Sequence, residues 1–493
     1  MTDTLHQNWW LITPEFILVG WAALMISIDL FLEPRDKEGL GYLAALGALV
    51  SLLVSLVWID DNKDFANIID IDNYTTMFRV FFSAIAVFAC IASARYAKDR
   101  LIHVGEYYAL MLLAVVGANG MAASREILTA YISLELLSFC LYILVSFAKF
   151  DLRSNEGGLK YMLLGAFSSA IFLYGVGFVY GAAGSTDYAA IGTAVSGDIG
   201  DIAPAFYLGL ALMITGLGFK VSSVPFHMWT PDAYEGAPLP ITAYVSALSK
   251  AAGFALFLKL FAQAFLPLID DWRYVIAALS VLTMALGNFV AIQQHNIKRL
   301  LAYSSIAQVG YMLMGIAALS PDSASALVLM LVGYVVTNLA AFTCIIVYYN
   351  WTGKEEIADY AGLADRAPFL AMCLTAALFS LGGMPLFAGF ATKFILFQSA
   401  AEEDMLWLAA AAVTFSFISL YYYLIVIKVM YLGKAEEQTR FPIPWREYTA
   451  VTVLTLGVLF VGLYPQPVFD AVEDGTQAMY ESAALGDEAV AEP

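Results

Sequence analysis

Charge is scarce in this chain. Only 13% of its 493 residues are Asp, Glu, Lys or Arg, against about 25% in an ordinary soluble chain. Basic residues are scarcer still: 24 Lys and Arg stand against 42 Asp and Glu, for a net charge of −18. That deficit speaks against nucleic-acid binding, which needs a basic face. The acid excess lies mainly in loops and in the C-terminal tail, so it says little about partners. Histidine and cysteine are also few, four of each. Cys90, Cys140, Cys344 and Cys373 lie in apolar runs at unrelated spacings. They read as small buried side chains, not as a disulfide set or a metal site. No glycine-rich phosphate loop precedes a helix. No basic stretch precedes the first apolar run near Phe16, so no cleavable leader is expected.

Hydrocarbon takes the place of charge. The chain is 61% hydrophobic, and apolar runs long enough to cross about 30 Å of bilayer recur throughout. The expected fold class is an all-α polytopic membrane protein. Fourteen spans are expected, at 15–32, 40–59, 76–96, 105–123, 126–148, 157–181, 204–226, 239–265, 273–293, 297–319, 323–350, 367–400, 405–432 and 446–464. The seventh meets Ser222, Ser223 and Pro225 just after Lys220. The twelfth is too long for one straight span and holds Gly382, Gly383, Pro385 and Gly389. A proline removes a backbone donor and clashes one turn back. In a bilayer such a break survives only where protein buries it or water lines it. Two broken helices are therefore expected.

Loop charges set the expected orientation. One set of loops carries fourteen basic residues, among them Arg35, Lys98, Arg153, Lys298 and Arg446. The opposite set, with both termini, carries four: Lys63, Arg79, Arg125 and Arg273. The first set should face the cytoplasm and both termini the outside. Two five-span blocks, 105–265 and 273–432, each place their broken span fourth, and Pro225 and Pro385 stand 160 positions apart. An odd number of spans makes the second block enter from the opposite side, the inverted repeat of many transporters. An N-terminal three-helix segment, 1–104, precedes the blocks. A last span with an acidic tail, 433–493, follows, and the tail after Asp470 is expected to be flexible.

Six basic residues fall within spans: Lys160, Lys220, Lys250, Lys259, Lys393 and Lys428. An intramembrane charge is costly and points to function. Glu135 sits nine residues into its span, roughly 13 Å deep. Lys220 lies at the first break, Lys250 at mid-depth of the next span, and Lys393 just after the second break. Each could instead be a structural counter-charge, but four such groups around two breaks read as an ion path. Lys160 lies near one membrane edge, where snorkelling to water competes with a role in the path. Lys259 and Lys428 lie nearer the ends of their spans and are expected to reach water. His227, in the first break, either relays protons or hydrogen-bonds carbonyls that the break frees. Ser304, Gln308 and Tyr311 share a helix face, which serves either proton transfer or helix-to-helix bonding.

The chemistry these residues suit is proton transfer. Burial disfavours the charged form of a lysine, and a nearby carboxylate favours it. A Glu135–Lys220 pair in low dielectric would act as a switch. With Glu135 engaged, Lys220 keeps its proton; with Glu135 drawn away, Lys220 releases it toward Lys250 and Lys393. Moving a charge across the membrane costs about 2.3 kcal/mol per 100 mV. With no redox or nucleotide site in sight, the energy must come from a partner or another ion's gradient.

Two stretches carry a resemblance. VPFHMWTPDAYEGAPLPITAYVSALSKAAGF at 224–254 and NIKRLLAYSSIAQVGYMLMG at 296–315 resemble the antiporter-like membrane subunits of respiratory complex I. The likeness covers nearly the whole chain, and the first motif is highly specific. Within that family the chain is similar to the N-type subunits of the bacterial NADH–quinone oxidoreductase. The larger sister subunits usually carry glutamate at the twelfth-span site, histidine at the eighth-span site and extra C-terminal helices. Here both sites are lysine. The resemblance implies that Glu135 pairs with Lys220 and that Lys250 and Lys393 complete a proton route. It implies a subunit of a proton-pumping translocase in a bacterial inner membrane, beside other membrane subunits including antiporter-like neighbours. It places NADH, FMN, iron–sulfur clusters and quinone in partner subunits and no cofactor or metal in this chain. The rival reading is a subunit of a multisubunit cation/proton antiporter or of an energy-converting hydrogenase.

Overall fold

The computed structural model describes residues 8–33, 36–61, 63–197, 199–434, 440 and 442–491. Arg35 and both chain ends lie outside the described residues. Among the described residues the protein is a bundle of helices with one short hairpin. Thirteen helices are long and apolar enough to cross a membrane, and Pro368–Gly382 is a shorter apolar one. Helices α1 (Thr13–Asp29) and α2 (Glu38–Ser55) lead to the hairpin β1 (Lys63–Phe65) and β2 (Ile69–Ile71). The strands are antiparallel, with Lys63 opposite Ile71. There follow α3 (Asn73–Arg100), α4 (Val104–Ala123), α5 (Ile127–Val145), α6 (Leu152–Ala183) and the short α7 (Tyr188–Val195). Local chemistry sets these limits. The side chain of Asp72 accepts from Thr75 N–H at 2.8 Å and starts α3. Asp151 caps α6, and Gly184, at φ 74°, ends it, a left-handed position that glycine takes without strain.

The first expected break is present. α8 (Ala203–Val221) stops, a turn intervenes, and α9 (Trp229–Gly236) follows. The straight part ends at Val221, five residues before the expected limit, because Ser222 already turns left-handed at φ 71°. The next span is α10 (Leu239–Tyr244), a wide π-type turn at Val245–Ser249, and α11 (Lys250–Gln263). Then come α12 (Ile269–Ala291), α13 (Ile297–Ala317) and α14 (Pro321–Thr352). The second break separates α15 (Pro368–Gly382) from α16 (Ala388–Glu402). It is tight: a Cβ on Gly389 would come 1.8 Å from the Ser380 carbonyl oxygen. α17 (Leu406–Leu432), α18 (Trp445–Leu463) and α19 (Gln466–Ala491) complete the chain.

Burial is uneven in a way that positions the site. α10, α11, α13 and α14 are buried along almost their whole length. The rim helices expose large apolar side chains, such as Ile132 and Phe139 on α5 and Phe417 on α17. Polar residues on the inner helices therefore face protein.

Three expectations need correction. Arg79 is not in a loop. It lies inside α3, 1% exposed, with its Nε 2.9 Å from Glu15, and Asn119 donates to the same carboxylate at 2.9 Å. Lys259 does not reach water. It is fully buried, 3.5 Å from Asp70 on the hairpin, and donates to the Ala122 carbonyl at 3.3 Å. On Asp70, burial raises the carboxyl above its usual range although the Lys259 ammonium pulls the other way. The tail after Asp470 is helical: α19 buries Val472, Thr476 and Met479, and Thr476 bonds Ser325 at 2.6 Å. Its apolar residues recur on one face, which gives the helix something to pack.

Candidate functional site

The two breaks supply acceptors that an unbroken helix would keep for itself. In α15 the Leu381 carbonyl would bond the N–H of residue 385, but Pro385 has none. Lys393 Nζ takes that carbonyl at 2.8 Å, and Gln308 Nε2 shares it at 3.0 Å. Gly383, at φ 78°, makes the turn, with its N–H on Ser380 O and the N–H of Met384 on Phe379 O. At the first break Ser222 fills the matching left-handed position. A non-glycine residue there carries strain of order 1 kcal/mol. What the serine adds is a hydroxyl: Ser222 Oγ accepts from Lys250 Nζ and from Thr230 Oγ1 at 2.7 Å.

The central amines face inward. Lys220 is 3% exposed, Lys250 0% and Lys393 4%, so none points at lipid. Lys250 Nζ lies 4.8 Å from the centroid of the Trp229 ring and 5.9 Å from that of Tyr234, close enough for cation–π attraction. Lys393 stands likewise 4.8 Å from the Tyr311 ring. Gly253 lets α11 approach α8: a Cβ there would fall 3.5 Å from Lys220 Cγ. Ser249 Oγ donates to the Lys220 carbonyl at 3.5 Å. The first two amines thus share one helix contact.

Glu135 and Lys220 are neighbours without direct contact. Lys220 Nζ donates to Ser138 Oγ at 2.8 Å, and that hydroxyl donates to Leu134 O at 2.6 Å. Ser138 is three residues along α5 from Glu135, on the same face. Glu135 Oε1 is buried without a hydrogen-bond partner, and among the described residues no ion pair joins it to Lys220. A free buried carboxylate oxygen beside a serine-held amine leaves room for a second arrangement, with the amine on Glu135.

Hydroxyls and amides continue from Lys250 toward Lys393. Tyr234 OH lies 3.5 Å from Ser305 Oγ, which bonds Tyr334 OH at 2.8 Å. Tyr334 donates to Ser246 O at 3.3 Å, and Asn338 donates to Ser246 Oγ. One residue before Ser305 on α13, Ser304 bonds Tyr423 OH. Gln308 then leads to Leu381 O and Lys393, while Tyr311 OH accepts from Asn288 at 3.3 Å. The Ser304–Gln308–Tyr311 face does join helices, and the groups it joins lead to the second break. Lys393 also lines a cavity of about 330 Å³ with Pro385, Phe394, Ser416 and Phe417.

The two secondary candidates stand apart from this line. Lys160 pairs with Glu156 at 2.7 Å and Asp232 at 2.8 Å. Arg299 reaches Asp232 at 2.9 Å and Glu235 at 2.7 Å, so Lys160 belongs to an ion cluster on α9. His227 is half-buried in the break, its Nδ1 buried without a partner, and bonds none of the lysines. Lys428 is exposed. Sequence reasoning missed Ser138, Ser222, Ser305, Tyr334, Asn338, Tyr423 and the Asp232–Arg299 pair. Asn338, an amide deep in an apolar run, was the one with a visible signal. Among the described residues no group of three His, Cys, Asp or Glu side chains could hold a metal ion.

Comparison with known proteins places this arrangement. Residues 124–419, which contain all four candidate path residues, match the family model of the NADH:quinone oxidoreductase/Mrp antiporter, TM. NADH-quinone oxidoreductase subunit N of Moorella thermoacetica is 41% identical over 465 residues, 94% of this chain and 97% of the relative. NAD(P)H-quinone oxidoreductase subunit 2 of Rippkaea orientalis is 38% identical over 477 residues, 94% of this chain and 92% of the relative. A chain of respiratory complex I from Thermus thermophilus superposes with a TM-score of 0.78 at 29% identity, covering 94% of this chain and all of that one. The chain with two broken helices and buried lysines at both breaks therefore belongs to the NADH:quinone oxidoreductase/Mrp antiporter family of membrane proteins, among the quinone oxidoreductase subunits N and 2.

Proposed function

We propose that this chain is a proton-translocating membrane subunit of an NADH–quinone oxidoreductase. Glu135 sets the protonation of Lys220, Lys220 and Lys250 carry the proton to the middle of the membrane, and Lys393 hands it outward. The observation that carries this reading is the burial of three amines at or beside two helix breaks, with serine, tyrosine and amide groups lying between them. Burial disfavours the charged form of a lysine, and a hydroxyl between two amines can relay a proton by accepting one while passing on its own. Ser138 holds Lys220 in one position, and the unbonded Glu135 oxygen offers the other. Lys160 and His227 play secondary parts, Lys160 by tying α9 to α6 through Asp232.

The same reading assigns the finer architecture. α15 and α16 form one broken span, which makes fourteen spans in all. Residues 105–265 and 273–432 are inverted five-span repeats, between an N-terminal segment 1–104 and a C-terminal segment 433–493. The left-handed turns at Ser222 and Gly383 support the pairing of the two breaks. The membrane is a bacterial inner membrane with both termini outside, on the strength of the loop charges. The energy comes from NADH oxidation and quinone reduction in partner subunits, which hold the FMN, iron–sulfur clusters and quinone. Neighbouring membrane subunits, including antiporter-like ones, flank the chain.

Isolation of the full chain by an affinity tag under mild detergent tests this assignment. Co-purification of NADH-driven quinone reduction is the expected result. Isolation without that activity, with sodium–proton exchange by the chain alone in liposomes, would contradict it.

A further inference from the structure

Basic side chains are outnumbered in this protein, and most find a carboxylate. Arg79, Arg95, Lys98, Arg125, Lys298 and Arg299 all do. Arg100 and Lys149 pair with none among the described residues, and both line the same cavity of about 430 Å³. The cavity lies where α3 ends, α4 begins and the chain passes from α5 to α6. The Arg100 guanidinium is 4.6 Å from the centroid of the Tyr349 ring and 5.9 Å from that of Tyr96, and its Nη1 is 3.5 Å from Tyr349 OH. Lys149 Nζ stands 3.3 Å from His103 Nε2. The one carboxylate in the lining, Asp151, is engaged, accepting from Arg153 N–H at 2.9 Å as the cap of α6.

The lining includes exposed apolar side chains: Ile102 is 56% exposed and Phe150 82%. Leu152, at the start of α6, is 83% exposed beside them. Ile102 lies in the turn between α3 and α4 and Phe150 in the loop between α5 and α6, where acyl chains meet headgroups. Unpaired cations above and exposed hydrocarbon beside them match a molecule that carries an anion on a lipid tail.

We propose that this cavity binds the phosphate-bearing headgroup of an anionic phospholipid. Arg100 presents a planar fork of N–H donors suited to two phosphate oxygens, and the two tyrosines hold that plane in place. Lys149 supplies a second charge from the loop. The size lies within the usual range for ligand pockets, roughly 300–1,000 Å³. Tyr96, Ala148, Asp151 and Tyr349 also line a second, polar cavity of about 370 Å³ that reaches Glu235, Pro238 and Lys298 beside α9. A bound headgroup would stand next to this polar cavity at the C-terminal end of α9.

The test uses the purified assembly containing the full chain. It is exposed to a photoactivatable phosphatidylglycerol, or to the matching phosphatidylcholine, and the labelled peptides are mapped. Phosphatidylglycerol is expected to label 96–103 and 147–152, and phosphatidylcholine to label them far less. Arg100→Gln with Lys149→Gln should lower the labelling roughly thirtyfold, from two surface charges lost. Arg100→Lys with Lys149→Arg should retain most of it. If the double variant does not assemble, Lys149→Gln alone, a change on an exposed loop, should lower labelling about fivefold. Equal labelling by both lipids, or no change in the Gln variants, overturns the proposal. Loss of label on adding about 10 mM inorganic phosphate assigns the site to a free anion and overturns the lipid reading.

Discussion

Lys250→Met is expected to keep the fold and lose the proton transfer. Lys250 is fully buried, bonded to Ser222 and set against the Trp229 ring, with no carboxylate in contact among the described residues. Methionine is close to lysine in length and carries no charge to desolvate. Replacing a buried charged side chain by an apolar one of similar volume is often neutral or stabilising. The melting temperature of the purified assembly should therefore stay within about 2 °C of the parent or rise. NADH-driven proton uptake into membrane vesicles should fall roughly a hundredfold, the lower range for losing a positioned proton carrier. Lost assembly with normal translocation by the residual protein would make Lys250 a structural residue instead.

Glu15→Gln should do the reverse. Arg79 is 1% exposed in α3, and among the described residues its only carboxylate contact is Glu15. A lysine in that position could escape the cost of burial by losing its proton; an arginine cannot. Removing one partner of a buried ion pair costs about 3–5 kcal/mol. The single variant is expected to lose assembly or to melt many degrees lower, measured by thermal unfolding of the detergent-solubilised protein. Glu15→Gln combined with Arg79→Leu should recover most of the loss, because no charge is then left unpaired. Translocation per NADH by whatever assembles should be normal. If Glu15→Gln leaves melting unchanged, the pair contributes nothing to the fold.

The two variants separate the kinds of buried charge. The arginine is locked to the Glu15 carboxylate, which the Asn119 amide holds in turn. The path lysines bond neutral oxygens: a serine hydroxyl for Lys220, another for Lys250, a freed carbonyl for Lys393. Neutral acceptors hold an ammonium without fixing its charge, which is what a group that must give up a proton needs.

Both breaks were legible in the sequence because Pro225, Pro385 and Gly383 act through the backbone, and backbone limits do not depend on neighbours. The lysines were legible because a charge within an apolar run has few explanations. Ser138 was not, since a serine in a membrane helix bonds its own backbone by default, and Ser138 also does that. Only the fold, in which α5 and α8 both pack on α6 and Lys220 reaches across to α5, turns its other lone pair to the amine. Arg79 was counted with the loop charges because it stands only three residues inside the expected span 76–96, where a basic side chain can reach water; α3 in fact starts earlier, at Asn73 after its Asp72 cap, which sets Arg79 deeper in the helix. The tail misled for a related reason. Its alanines and acids looked like a solvated segment, but Val472, Thr476 and Met479 fall on one face and bury it against the bundle.

The proposed translocation depends on a proton held by Lys220 and released under the control of Glu135. Proton uptake and NADH oxidation measured together in membrane vesicles carrying Lys220→Ala test it most directly. Assembly at parental levels with translocation reduced at least tenfold is the predicted result. NADH oxidation at the parental rate, with the same number of protons moved per NADH, would contradict it.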